Sequence, residues 1–206
     1  FDIASEILEA EAKRNLEESQ KVSLDTNEYE KFCDTFKFTE TPDQERVIRE
    51  VIADLLSDKP QDRLICGEVG FGKTEVALRA SFIVAQNDYQ VCILAPTTVL
   101  AKQHFEVFKE RFSEFPYRIC LLTREQTKTE KAEIYKKIKK NYFSNIIGTH
   151  ALFNKEISFK SLNLLIIDEE HKFGVRQKEQ IRSLKNGINV ISLSATPIPR
   201  TLNLSL

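Results

Sequence analysis

The sequence has no methionine and no tryptophan among 206 residues, and only six glycines, six prolines and four cysteines. So little glycine and proline excludes collagen-like and low-complexity chains. The cysteines stand at 33, 66, 92 and 120, with no close CxxC pair of the kind that holds zinc or cycles between thiol and disulfide. Cys66, Cys92 and Cys120 each fall in an apolar, strand-like run and are read as small core residues of a protein kept in a reducing, cytoplasmic compartment. No apolar run approaches the roughly 18 to 20 residues needed to span a bilayer, so no membrane partner is expected. Without methionine and with Phe1 first, the sequence is expected to be an internal piece of a longer chain. Such an N-terminus gives no information about a signal peptide.

A surplus of either charge is also missing: 30 Lys and Arg oppose 31 Asp and Glu, for a net charge of -1. The balance hides an asymmetry. Residues 1–30 hold 9 acids and 3 bases, while the remainder holds 22 acids and 27 bases. An acidic arm and a mildly basic body are therefore expected to be different units, divided as a helical linker over 1–37 and a larger lobe over 38–206.

Ile3, Ile7, Leu8, Ala12 and Leu16 make a narrow apolar stripe that predicts a helix over 3–19. A polar stretch over 20–37 follows. Thr41-Pro42-Asp43-Gln44 reads as a helix start, with Thr as N-cap and Pro in the first turn, and the apolar period continues to Leu56. From there strands predicted at 63–66, 91–96, 117–123, 145–150, 162–171 and 187–196 alternate with helices at 73–86, 98–112 and 127–140. The strands are continuous apolar runs, which argues for burial on both faces. That pattern is an α/β fold with a mostly parallel sheet and helices on both sides.

Gly67-Glu68-Val69-Gly70-Phe71-Gly72-Lys73-Thr74 matches the phosphate-loop pattern GxxxxGK[ST] between a predicted strand and a predicted helix. Glycines let backbone N–H groups turn inward toward phosphate oxygens, and the helix N-terminus adds positive potential. In such a loop Lys73 reaches the β- and γ-phosphates and Thr74 places a hydroxyl on Mg²⁺. Leu164-Leu165-Ile166-Ile167 then delivers Asp168, Glu169, Glu170 and His171 to the end of a buried strand, where ligands of α/β folds bind. Asp168 is the expected holder of hydrated Mg²⁺ and Glu169 the expected orienter of an attacking water. His171 is open to two readings, metal ligand or core histidine. Beside three acids it is taken as a hydrogen-bonding link to neighbouring strands.

The pairing of "GKT" with "DEEH" resembles superfamily 2 helicases and translocases. Pro96-Thr97-Thr98-Val99-Leu100-Ala101-Lys102-Gln103-His104 resembles their first DNA-contacting motif, and Gly148-Thr149-His150 their second. Ser194-Ala195-Thr196-Pro197 resembles the motif coupling ATP state to DNA grip, and Gln44 the glutamine that reads adenine. "GEVGFGKTEVALRA", "DEEHKFGVRQKE" and "SATPIPRTLNLSL" are very similar to the bacterial transcription-repair coupling factors, with RecG-type helicases as nearest relatives. Phe71, where RecG-type chains usually have Ser, favours the former. Ala151 and Glu125 depart from the coupling-factor pattern.

The resemblance implies the first RecA-like lobe of a three-layer P-loop ATPase that drives a double-stranded DNA translocase. Its cofactors would be ATP and Mg²⁺. RNA polymerase and excision-repair proteins would be partners through other domains, and a second RecA-like lobe in cis would supply arginine fingers. It implies ATP contacts from Gln44, Gly67 to Thr74, and Glu75, DNA contacts from Thr97, Thr98, Gln103, Thr149 and His150, and coupling through His171, Ser194 and Thr196. For Thr97 and Thr98 a plain helix-capping role stays open. The run Lys136 to Lys140 is read as a solvated helix face. Two other readings are a small P-loop kinase and a non-catalytic module that kept the fold.

Overall fold

Among the described residues six short strands form one parallel sheet in the order β1-β6-β5-β2-β4-β3: β1 (Asp62–Cys66), β2 (Gln90–Leu94), β3 (Ile119–Leu122), β4 (Asn145–Gly148), β5 (Leu162–Asp168) and β6 (Asn189–Ser194). The computed structural model describes residues 20–195 apart from Val69 and Phe71. The expected helix over 3–19, together with Val69, Phe71 and Thr196, therefore lies outside the described residues.

Side chains alternate across each strand, so one strand feeds two cores. Val91 and Ile93 of β2 join Ile147, Leu164, Ile166, Ile191 and Leu193 on one face. Cys92 and Leu94 join Ile146, Leu165, Ile167 and Val190 on the other. The first face is covered by α1 (Thr26–Asp34), α2 (Pro42–Leu55), α3 (Lys73–Gln86) and α4 (Thr98–Arg111), the second by α5 (Lys128–Lys139) and α6 (Val175–Leu184). Apolar strands buried on both faces and helices in crossover connections give the three-layer α/β architecture expected from the sequence.

Helix starts follow local chemistry. Thr41 Oγ1 accepts from the Gln44 N–H at 3.2 Å while Gln44 Oε1 accepts from the Thr41 N–H at 2.9 Å, a reciprocal capping box with Pro42 beside it. Thr127 and Glu130 repeat the device at α5. The strand expected over 162–171 stops at Asp168 because Glu169 adopts φ 50 and the backbone turns into a 3₁₀ segment, Glu170–Lys172.

α1, α6 and β1 depart from the sequence expectations. The polar stretch over 20–37 contains α1, whose Phe32 is fully buried and stacks on Phe82 with centroids 4.2 Å apart. Glu28 of the same helix accepts a hydrogen bond from the Tyr117 hydroxyl at 2.8 Å. Cys66, expected in the core, is exposed. It lies on edge strand β1, whose burial alternates, with Leu64 also 48% exposed. Cys92 and Cys120, on inner strand β2 and covered strand β3, are buried as expected. All four thiols are unpaired. Among the described residues no helix is long and apolar enough to cross a membrane.

Candidate active site

Parallel pairing places the same end of every strand on one edge. β1, β6 and β5 are neighbours, and their register sets Cys66 opposite Ser194 and Asp168 opposite Leu193. The phosphate loop, Ser194 and the acidic cluster thus emerge side by side, although more than 100 residues separate the loop from Ser194 in the chain. Hydrogen bonds join them. The Gly67 N–H donates to the Ser194 carbonyl at 3.1 Å, the Glu169 N–H to the Leu193 carbonyl at 2.8 Å, and the Ala195 N–H to Glu169 Oε1 at 2.9 Å. His171 Nδ1 lies 3.3 Å from Glu169 Oε2. Glu170 turns away from this group, accepting from Lys185 at 3.2 Å and from Ser192 at 3.1 Å.

The loop itself needs unusual backbone. Gly70 has φ 94 and Gly72 has φ 80, in the left-handed region that side chains disfavour. A Cβ on Gly72 would also collide with the Gln44 amide nitrogen, so the expected adenine-reading glutamine is seated directly on the loop. α3 begins at Lys73, and among the described residues no side chain caps its N-terminus, the end of a helix that attracts anions. The Lys73 ammonium donates to the Gly67 carbonyl and, at 3.1 Å, to that of Glu68.

A cleft of about 610 Å³ opens beside this loop, lined among others by Phe36, Phe38, Gln44, Gly72, Thr74 and Glu75. Phe38 is 75% exposed and meets Phe36 edge-on at 5.6 Å, leaving an aromatic wall next to the glutamine. Glu75, expected at the nucleotide, is buried and doubly paired. It accepts from Arg79 at 2.8 Å and from both Arg111 amino groups, at 2.5 and 3.1 Å. Arg79 also pairs with Glu40. Burial by itself would lower the Arg79 pKa, but hydrogen bonds to Glu75 and Glu40 with the surrounding negative potential raise it overall.

The DNA-facing candidates separate in the structure. Thr97, exposed, accepts from the Leu100 N–H at 3.2 Å and caps α4, so its capping role is real. Thr98 is half-buried, while Gln103 and His150 are exposed. Thr149 is only 2% exposed, and its hydroxyl makes no hydrogen bond among the described residues. Glu125, one of the departures from the family pattern, pairs with Lys102 at 2.6 Å. Lys136, Lys137, Lys139 and Lys140 are exposed, as a solvated face requires. A second cleft, about 690 Å³, brings His150 together with Arg124, Lys131 and Arg176, three cations to which the sequence reading assigns no role. Arg124 and Lys131 follow β3, His150 follows β4 and Arg176 follows β5, so only the fold reveals them as a group.

One side chain of the site is named in the sequence only as the end of the motif expected to contact DNA. His104 Nε2 lies 2.8 Å from Asp168 Oδ2, in a buried position of α4. Its signal was present: Ala101, His104 and Phe108 are the buried residues of α4, a spacing of three and four that marks its inner face.

The protein-family model of the DEAD/DEAH box helicases matches residues 41–204. The Escherichia coli transcription-repair-coupling factor is 44% identical over 205 residues, all of this chain but 18% of that protein. The Haemophilus influenzae protein of the same name is 46% identical with the same coverage, and that of Bacillus subtilis 45%, with 17% of its length covered. The chain thus spans under a fifth of these relatives. Among solved structures, RecG bound to a three-way DNA junction superposes with a TM-score of 0.83 at 32% identity, over 96% of this chain and 26% of that one. Yeast dbp5 shares the fold, with a TM-score of 0.63 at 19% identity. The phosphate loop, the acidic strand end and the Ser194 strand meet on one sheet edge within the span of that family model, and the chain belongs to the DEAD/DEAH box helicase family.

Proposed function

We propose that this chain is the ATP-binding lobe, over 38–206, of an ATP-driven double-stranded DNA translocase, joined by the acidic segment 1–37 to preceding parts of a longer cytoplasmic protein. In that protein the motor would remove RNA polymerase stalled at lesions and couple transcription to excision repair, with polymerase and repair proteins engaging other domains. The observation that carries the reading is the hydrogen-bonded line from Gly67 through Ser194 and Ala195 to Glu169. It joins phosphate contact, strand β6 and the water-orienting carboxylate, as a motor that converts nucleotide state into movement requires.

The residue types suit ATP and Mg²⁺. A hydroxyl on Thr74 and a carboxylate on Asp168 match a small cation that keeps several waters and takes its other ligands from phosphates. When bound, the cation neutralises charge on the transferred phosphoryl group. Lys73 contacts phosphate oxygens, Glu169 aligns water, and Gln44 with Phe36 and Phe38 forms the base pocket. His171, Ser194 and Thr196 relay that state. Thr97, Thr98, Gln103 and His150, with the cations around the second cleft, face the DNA backbone, where contacts position without reading sequence. A RecG-type branched-DNA helicase lobe is the second reading, favoured by the 0.83 superposition.

The test is a titration of a fluorescent ADP analogue with Mg²⁺ into the wild-type chain and Lys73→Ala. Loss of a charged hydrogen-bond donor to phosphate should weaken binding about tenfold or more. Equal affinity removes the phosphate loop from the reading. Turnover by the single lobe should be very slow and insensitive to DNA, because arginine fingers from a second lobe are worth roughly 10³–10⁵ in related P-loop systems.

A further inference from the structure

We propose that His104 is a positioning residue that fixes the carboxylate of Asp168 for magnesium and anchors it to helix α4. The inference rests on the nucleotide reading above and goes beyond it, since His104 belongs to neither the phosphate loop nor the acidic strand end. The two side chains come from elements 64 residues apart, and both are largely buried at the contact, with side-chain exposures of 11% and 14%. A carboxylate at a strand end has two free torsions, and burial alone does not select a rotamer. A ring N–H donated to Oδ2 at 2.8 Å does select one. Oδ1 would then be the oxygen that holds magnesium through one of its waters.

The arrangement resembles the outer shell of many metal sites, where a second side chain orients the ligand without touching the ion. Here the orienting group sits on the inner face of α4, beside Ala101 and Phe108, which pack into the core. His104 is itself only 9% exposed, so its hydrogen bond to Asp168 belongs to the packed inner face of the helix. Glu169, by contrast, is held from the β6 side through Ala195, so neighbouring acids are fixed by different elements.

The experiment measures affinity for the fluorescent ADP analogue twice, in EDTA and in excess Mg²⁺, and takes the ratio. His104→Leu removes the donor and should reduce the magnesium-dependent tightening about tenfold, with the EDTA affinity close to wild type. His104→Gln, whose amide can donate from a similar reach, should restore most of the ratio. Asp168→Ala should abolish the tightening, and adding His104→Leu to it should change nothing more. A merely structural histidine would lower Tm and weaken both affinities together. A wild-type ratio in folded His104→Leu overturns the proposal. If His104→Leu fails to fold by circular dichroism, His104→Asn, too short to reach Oδ2, is compared with His104→Gln, and equal ratios overturn it instead. Absence of any analogue binding by wild type fails the nucleotide reading itself, a result distinct from a lost magnesium dependence.

Discussion

Single residues of the site are chosen for conformations that other residues resist. Gly72 combines φ 80 with contact to Gln44, so Gly72→Ala faces both a left-handed backbone and a displaced glutamine. The backbone alone should cost about 1–2 kcal/mol, and analogue affinity should fall as Gln44 moves. Thermal melts and the same titration check both effects. Glu169 holds φ 50 without being glycine, anchored by its N–H to Leu193, in keeping with strain being concentrated at functional sites. Glu40 reports on the ion-pair network behind the loop. Burial by itself would raise its pKa, but a backbone hydrogen bond and the Arg79 guanidinium outweigh that, and the folded value lies below the ordinary one. A depressed carboxylate contributes stability above its unfolded pKa of about 4.3 and loses it as pH falls through the folded value. The Tm difference between wild type and Glu40→Gln should therefore be largest near neutral pH and shrink on acidification below about pH 4.

Elements were legible where periodicity and chemistry coincide. α3 runs over Lys73–Gln86, the span predicted from the apolar run after "GKT", and α2 starts at the capping signal of Thr41. α1 was not legible because its buried face is only Tyr29 and Phe32 within a polar stretch. α6 was missed for the same reason: Ile181 is its one buried residue, in a helix opened by Gly174. Such helices are held by tertiary contact rather than by an apolar stripe. Phe32 is nonetheless central, stacked on Phe82, 5.1 Å from Phe112 and under the Arg111 guanidinium at 4.8 Å. Phe32→Ala should cost about 3–5 kcal/mol, visible as a lower denaturation midpoint. The candidate site was legible residue by residue at the loop and acidic strand, but not at His104, nor at the cleft joining Arg124 and Lys131 to Arg176, because those meetings exist only after strands separated in sequence are paired.

For the whole molecule, helix cover over the sheet decides what is inside. β1 sits at an edge and leaves Cys66 outside, while Cys92 and Cys120 are sealed under α5 and α6. Burial pushes the Cys120 thiol up to about 12 and Cys92 higher still. At pH 8 a thiol reagent should modify Cys66 quickly, and Cys92 and Cys120 only on unfolding. Fast labelling of Cys120 in the native protein would contradict the cover that α5 gives β3. The first face has its own long-range logic, with α1 tied to α3 and α4 through Phe32, Gln86 and Arg111.

Helix α4 shows what that logic implies for motion. Its 14 residues extend about 20 Å at 1.5 Å per residue. Two of its ties reach the candidate site: His104 to Asp168, and Arg111 to Glu75 in the first turn of α3. A rod fastened at one point can swivel, but a rod fastened at two must shift bodily or release a fastening. A bodily shift of α4 would therefore disturb the acidic strand end and the phosphate-loop helix together.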